Sequence, residues 1–283
     1  TGGAWSVELS TSNTDADAVA LNHGNTYQVF AAGTSIGGKI ASDINNGLVI
    51  NTALADVPTV INNYSGTTTP TLTGLAQKYD PSHPTQTLAL ATGDTLQVVV
   101  NGVTITGTIG SLPTGLSYDA TTRMWSLDTA TAGSFGLQSG HTYDVGVQVT
   151  TGGGTSIKTD VSTAELVVNT SAPSISLDTI SADGYLNATE AGQSLTITGV
   201  TNAQVGATVT LTGLDGSTRT ALVLAGTGGN NSFSLTVPAA DVTAFASANA
   251  TKTVHASVTN QFNLSASDNK SLVIDIGVPT AVA

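Results

Sequence analysis

The chain has 283 residues, of which only 9% are charged, and its formal net charge at pH 7 is −12. This acidic balance argues against nucleic acid and anionic membranes as partners, because both repel a negatively charged protein. Cysteine is absent, which excludes disulfides and thiolate metal sites. No run of about 18 apolar residues occurs, so we expect no membrane insertion.

One set of short motifs occurs twice in the same order: a Trp-Ser-aliphatic strand, a Leu-to-Tyr turn, a Gly-Gly pair and an aliphatic strand ending in Asn-Thr. Tyr27 and Tyr143 are 116 residues apart, and Asn51 and Asn169 are 118 apart. A third, diverged copy runs through residues 232–235, 253–259 and 272–275. Because solenoid repeats are about 20 to 50 residues long, this longer period predicts separate domains in tandem.

Residues 1–57 predict four strands, at 4–9, 26–32, 39–44 and 48–51. By register with the second copy, these are the late strands of a domain that lacks its first half. An open half-domain would expose its apolar face, including Trp5, Val7, Tyr27 and Val29. We therefore expect the missing strands to come from preceding sequence or from a neighbouring molecule.

The second repeat is predicted at residues 58–172. Asn101-Gly102 between two alternating stretches predicts a hairpin with a type I′ turn. Residues 77–86, which contain Tyr79 and His83, interrupt the pattern and are interpreted as a surface loop closed by prolines. The predicted core consists of Trp125, Leu127, Tyr143, Val145 and Val147, with Val149 on the same face as the last three.

The third repeat is predicted at residues 173–279, and residues 280–283 are interpreted as the start of a further repeat. Asp215-Gly216 predicts a second hairpin turn. The stretch from Pro238 to Phe245 predicts a short helix that connects two strands across the domain. The predicted core here includes Leu195, Ile197, Leu235 and Val258.

Each complete repeat combines about seven short strands with turn signals every 8 to 12 residues or so, and with almost no helix. This pattern predicts an all-β chain built from antiparallel β-sandwiches. The recurrent aromatic residues, Trp5, Trp125, Tyr27 and Tyr143, are interpreted as core anchors rather than as ligand platforms or catalysts.

The third repeat carries a family likeness in residues 173–180, 183–192 and 232–241. They resemble the bacterial immunoglobulin-like (Big) tandem repeats of giant RTX-type, type I-secreted adhesins. The second repeat looks like a sister class from the same proteins, and residues 1–57 match its second half. The resemblance implies immunoglobulin-like sandwiches in an extended array and an extracellular or cell-surface location. It also implies a structural extender function in an adhesin or biofilm-matrix protein.

The same resemblance implies structural Ca²⁺ at the junctions between repeats. The last strand of the third repeat ends in Asp275, whereas neutral Asn169 and Asn51 stand at the matching positions. Because Ca²⁺ prefers carboxylates, we expect these two junctions to bind it weakly or not at all. A further candidate metal cluster has four oxygen-bearing side chains within 13 residues: Asp178, Asp183, Asn187 and Glu190. The alternative interpretation is a set of solvated acidic loops.

No catalytic constellation is recognisable, and the chain is predicted not to be an enzyme. The four histidines, His23, His83, His141 and His255, lie in unrelated contexts with no metal-ligand spacing. Besides the extender hypothesis, two alternatives stay open. One is a module that binds glycan or a host or abiotic surface through residues 77–86. The other is a homopolymer, in which the chain is the repeating subunit of a filament or surface layer.

Overall fold

A computed structural model describes residues 26–34, 40–49, 53–80, 83–151, 156–227 and 230–277. The chain divides into two compact units. The first comprises Thr1–Asn62, Thr71–Phe135 and Tyr143–Glu165, and the second comprises Asn63–Pro70, Gly136–Thr142 and Leu166–Ala283. These units follow spatial proximity rather than the repeat, so the domain boundaries expected at 57/58 and 172/173 stay a prediction.

Residues 26–165 contain short strands and one helical turn. The strands are β1 (Thr26–Thr34), β2 (Ile40–Val49), β3 (Leu54–Ala55), β4 (Asn63–Ser65), β5 (Thr71–Leu75), β6 (Lys78–Asp80), β7 (His83–Leu88), β8 (Thr95–Val100), β9 (Val103–Thr108), β10 (Leu116–Asp119), β11 (Met124–Asp128), β12 (His141–Tyr143), β13 (Val145–Thr150) and β14 (Ile157–Thr159). The helical turn is α1 (Thr129–Ala132), which Asp128 caps by accepting a hydrogen bond from the Ala130 N–H.

Residues 166–277 have the same character. The strands are β15 (Leu166–Val168), β16 (Ile175–Leu177), β17 (Tyr185–Asn187), β18 (Leu195–Thr201), β19 (Thr208–Thr212), β20 (Arg219–Leu222), β21 (Asn231–Val237), β22 (Ala250–Thr259) and β23 (Ser265–Asp275). The helical segments are α2 (Ser181–Gly184), a 3₁₀ turn (Glu190–Gly192) and α3 (Ala239–Phe245). No helix in the described part of the chain is long and apolar enough to cross a membrane.

The first unit has two principal antiparallel sheets, with strand orders β10-β11-β5 and β14-β13-β8-β9. Their inward positions alternate with outward ones, as a half-buried sheet requires. The buried residues are Leu72, Leu96, Val98, Val100, Trp125, Leu127, Val145, Val147 and Val149. The predicted all-β sandwich is therefore confirmed, and the burial of Val147 confirms the register of its strand.

The Asn101-Gly102 hairpin is also confirmed. Val100 lies opposite Val103 in the ladder of β8 and β9. Asn101 has a φ of 47° and Gly102 a φ of 77°, and positive φ at both central residues is the mark of a type I′ turn.

Three expectations for this part of the chain need revision. Residues 77–86 do not form an irregular loop, because β6 and β7 pair as a hairpin and β6 also pairs with β3. The two strands expected at 39–44 and 48–51 are one continuous strand, β2, which pairs with β1. Tyr143 is half-buried rather than fully buried. The strand expected at 4–9 lies outside the described residues, as do the side chains of Trp5, Val7, Tyr27 and Val29.

The second unit contains a sandwich of two sheets, β16-β18-β21 and β17-β23-β22-β19-β20. Residues from both sheets join one hydrophobic cluster, which includes Leu195, Ile197 and Val258 as predicted, while Leu235 is half-buried against it. Strands β19 and β20 pair on either side of Asp215-Gly216, which confirms the second hairpin. The predicted helix is α3, with Pro238 as its N-cap residue, and it links β21 to β22 in the opposite sheet.

A parallel pair of strands occurs twice in the second unit. The short strand β4 pairs in parallel with β15, and β17 pairs in parallel with β23. In both cases a strand from the beginning of a predicted repeat lies beside the last strand of the same repeat. The third repeat therefore shares its closing topology with the second, although their sequences have diverged.

The described residues of each unit include an aromatic residue packed on a glycine. In the first unit Trp125 lies opposite Gly74, and its Nε1–H donates to the Thr59 carbonyl oxygen at 3.0 Å. A Cβ atom on Gly74 would lie 1.9 Å from that oxygen.

In the second unit Phe233 lies opposite Gly199. A Cβ atom on Gly199 would lie 2.3 Å from the Ser176 carbonyl oxygen and 2.4 Å from the Phe233 ring. Only glycine leaves room for both the ring and the neighbouring backbone, so the two sandwiches solve the same packing problem in the same way.

We predict that Gly74→Ala destabilises the protein by about 1 to 3 kcal/mol, the usual cost of overpacking, because the new methyl group collides with the Thr59 backbone. Gly146→Ala is the matched control, since a Cβ there would make only an ordinary contact of 3.7 Å with Val99. Urea unfolding measures both. Equal midpoints for the two variants would contradict the packing argument.

Candidate functional site

Two of the predicted metal ligands, Asn187 and Glu190, form a reciprocal turn at the end of β17. The Asn187 Oδ1 atom accepts hydrogen bonds from the N–H groups of Thr189 and Glu190, at 2.9 and 3.1 Å. The Glu190 Oε2 atom in turn accepts from the Asn187 N–H at 2.9 Å. This exchange resembles a capping box and satisfies backbone donors at the start of the 3₁₀ turn.

Asp275 lies next to this turn, because it is the ladder partner of Asn187 in the parallel pair β17–β23. Its Oδ1 atom accepts from the Asn249 Nδ2 at 3.2 Å and from the Gly277 N–H at 3.3 Å. Asn249 Oδ1 accepts from the Ile276 N–H at 2.9 Å. The end of the last strand is thus held by two side chains that exchange hydrogen bonds with the backbone and with each other.

The other two predicted ligands have separate local partners. Asp178 Oδ2 accepts from the Thr198 hydroxyl on β18 at 2.7 Å. Asp183 lies in α2, and its Oδ1 atom accepts from the Tyr185 N–H at 2.9 Å. Asp183 therefore stands before the first residue of β17, whereas Asn187 is the last residue of that strand.

The structure thus brings together Asn187, Glu190 and Asp275. No three His, Cys, Asp or Glu side chains in the described part of the chain come close enough to hold a metal ion. The donor chemistry at the β17–β23 edge nevertheless suits Ca²⁺, which prefers carboxylate and amide oxygens. Glu190 and Asp275 each use one carboxylate oxygen in the hydrogen bonds above.

The same position in the second repeat has a structural role that the sequence did not reveal. Asn169 Oδ1 accepts from the Ser171 N–H two residues on, at 3.0 Å, as Asp275 Oδ1 does from Gly277. Asn and Asp side chains both make this turn, because each presents an oxygen to the backbone. The turn itself therefore needs no charge, and the recurrence of Asn or Asp at this spacing was the available signal.

Several carboxylates are tuned by hydrogen bonds rather than by catalytic neighbours. The Thr122 hydroxyl lowers the pKa of Asp119 below its usual range. The Ser217 N–H, followed by Arg219, lowers the pKa of Asp215.

Asp268 and Tyr118 show the same structural pattern. Asp268 on β23 has a lowered pKa because its Oδ2 atom accepts from the Leu177 N–H on β16 at 2.8 Å, across the two sheets. Burial raises the pKa of Tyr118, whose hydroxyl donates to the Ala76 carbonyl and accepts from the Leu90 N–H. These shifts follow from structural hydrogen bonds and burial.

Two histidines of the described part of the chain have local polar contacts. His141 and His255 are exposed, with ring nitrogens 3.2 Å from the Ser139 carbonyl oxygen and 2.6 Å from Asn269 Oδ1. His23 and the side chain of His83 lie outside the described residues. A cleft of about 190 Å³ in the second unit is lined without a single titratable side chain, by Asn169, Ser171, Ala172, Pro173, Asn202, Gln204, Asn260, Gln261 and Phe262.

No protein-family model matches the chain. No curated protein matches it either.

Solved structures do match. A Ca²⁺-stabilized adhesin that helps an Antarctic bacterium bind ice is 22% identical, with a TM-score of 0.37, over 88% of this chain and 56% of that one. A 1.5-MDa bacterial ice-binding adhesin is 19% identical, with a TM-score of 0.34, over 89% and 74%. An immunoglobulin-like domain of the M. primoryensis ice-binding adhesin is 21% identical, with a TM-score of 0.28, over 38% and 98%.

The chain thus spans about half the length of the first of these structures. The matched structures include a bacterial immunoglobulin-like domain, which is the class of repeat that the sequence predicted. The assignment of the sandwiches themselves rests on the strand pairing and burial described above.

We predict a pH-dependent effect of Asp268→Ala, because the lowered pKa of Asp268 means that its carboxylate stabilises the folded state. This contribution is present above the ordinary Asp pKa of about 4 and is lost as the pH falls through the lowered value. At pH 7 the variant should lose about 0.5 to 1.5 kcal/mol, the range for one hydrogen bond.

Urea unfolding at pH 7 and at about pH 2.5 checks this prediction, and the difference between wild type and variant should shrink at the lower pH. Asp160→Ala is the control, because the Asp160 carboxylate accepts only from the nearby Ser162 hydroxyl at 2.7 Å. An Asp268→Ala deficit of equal size at both pH values would contradict a role for the charge.

Proposed function

We propose that the chain is a run of structural extender repeats in a large secreted adhesin or biofilm-matrix protein of the cell surface. Its role is to hold a terminal adhesive region away from the cell. The observation that carries this proposal is the recurrence of one framework along the chain. The aromatic residue on glycine and the parallel closing pair each occur twice, in sequences that share little else.

The residues that recur are those that maintain the fold, and this favours an extender function. Residues that repeat in both sandwiches support packing, turns or ladder pairing, whereas a binding or catalytic repeat would be expected to repeat a pocket. The net charge of −12 favours solubility of such an array and disfavours anionic partners. The partners we propose are therefore the neighbouring repeats of the same protein, and the chain itself is not an enzyme.

We further propose that Ca²⁺ binds at the end of the third repeat, through Asn187, Glu190 and Asp275. These residues would supply three oxygen ligands, and water or the following chain would complete the coordination. Bound there, the ion would stiffen the exit from this repeat by linking β17, the 3₁₀ turn and β23. Asp178 and Asp183 have their own partners and are not among the ligands of the proposed site.

We expect a few millimolar Ca²⁺ to stabilise the second unit by roughly 1 to 2 kcal/mol, given dissociation constants of about 10⁻⁴ to 10⁻³ M for extracellular sites. The corresponding rise in melting temperature is several degrees, and calorimetry with and without a chelator measures it. Asp275→Asn should abolish the rise and leave the turn intact, as Asn169 shows. Asp160→Asn should leave it unchanged. Identical wild-type melts in Ca²⁺ and in chelator would rule out the site.

Two measurements on the isolated chain separate the extender from the alternatives. An extender should show no binding above background on a glycan array and should keep its monomer mass of 28.2 kDa at all concentrations in light scattering. Glycan binding that disappears when β6 and β7 are deleted would favour the binding module. Mass that grows with concentration into long polymers would favour the filament subunit.

A further inference from the structure

The segment that leads into the second repeat is itself a strand. Leu54 and Ala55, which form β3, pair antiparallel with Tyr79 and Lys78 of β6. The pairing continues in the hydrogen bond from the Asp56 N–H to the Gln77 carbonyl oxygen at 3.0 Å. Ala55 is completely buried, although a linker between domains is ordinarily exposed. The hairpin of β6 and β7 therefore uses its edge to bind this segment as a third strand.

Side chains hold the same segment from two directions. Gln77 Nε2 donates to Asp56 Oδ2 at 2.9 Å, which reinforces the backbone bond between the same two residues. On the other side, the Ala55 N–H donates to the Ser156 hydroxyl at 3.1 Å. Each of these bonds gives the segment a defined position as well as protection from water.

The hairpin is in turn anchored to the sandwich by a buried ion pair. Lys78 Nζ lies 2.7 Å from Asp94 Oδ2, and the two side chains are only 5% and 1% exposed. Asp94 Oδ2 also accepts from the Ala91 N–H at 2.7 Å, and Arg123 Nη1 donates to the Thr87 hydroxyl on β7 at 2.7 Å. Separating a buried ion pair leaves an uncompensated charge in the protein interior, which is strongly unfavourable. The hairpin is therefore a firm base for the segment bound to it.

This arrangement occurs at a junction where the repeat has a neutral residue. Asn51 stands where the third repeat has Asp275, and only residues 50–53 separate the end of β2 from the start of β3. We propose that the β6–β7 hairpin is a docking surface for residues 53–56 and that it holds this junction without a metal ion. The inference rests on the extender function proposed above and adds a second, ion-independent kind of junction to the array.

Amide hydrogen exchange on the full 283-residue chain tests this proposal. The Ala55 and Asp56 amides should exchange slowly, at the same rate in a few millimolar calcium chloride and in EDTA. Gln77→Ala removes the side-chain bond to Asp56 and should speed exchange of these two amides roughly two- to tenfold, as expected for one hydrogen bond. Gln148→Ala removes a comparable donor, to the Thr159 hydroxyl at 3.2 Å, and should leave them unchanged.

The amides of Val98 and Val147 in the sandwich ladder report whether each variant is folded, and they should stay slow in all samples. Fast exchange of Ala55 and Asp56 in the wild type would overturn the proposal, as would slow exchange that disappears in EDTA. Glycan binding by the chain would refute the extender function without affecting this exchange pattern, so the two proposals can fail separately.

Discussion

Both sandwiches depend on an aromatic ring packed against a glycine that faces it on the next strand. The ring is the largest fully buried side chain of its sheet, and the glycine lets a third segment bring a backbone carbonyl close to it. That carbonyl belongs to Thr59 in the first unit and to Ser176 of β16 in the second. In the first unit that carbonyl also accepts the indole hydrogen of Trp125. A larger residue at Gly74 or Gly199 would push that third segment away, so this one constraint positions two strands and the segment packed on them.

Several of the few charged residues of this chain join one element to another. Lys78 and Asp94 join the β6–β7 hairpin to the turn before β8, and Asp268 joins β23 to β16. Arg219 on β20 pairs with both Asp215 and Asp241, the latter 3.1 Å away in α3. Without disulfides, a sandwich of this size relies on burial and sheet ladders, and such ties add local order where the ladders end.

The ends of the sandwiches are where neighbouring repeats can differ. The turn after the last strand forms equally well with Asn169 and with Asp275, because either side chain presents an oxygen to the backbone two residues on. A change between these residues therefore alters the charge of a junction and leaves its fold intact. On the proposals above, one junction gains an ion and another a docked strand, so stiffness could vary along the array while the sandwiches stay alike.

The sequence by itself determined the all-β class, the repeat, both hairpin turns, the short helix after Pro238 and the inward faces of β13 and β18. These features follow from short-range periodicity and from turn residues such as Asn101 and Gly102, whose conformational preferences are local. Only the tertiary structure decided that residues 77–86 form a hairpin, that Lys78 is buried with Asp94, and that Asn187 lies beside Asp275. The last two pairings join residues that strand topology brings together and that no local pattern encodes. The β6–β7 hairpin is local, but its prolines and irregular sequence hide the alternation that marks a strand.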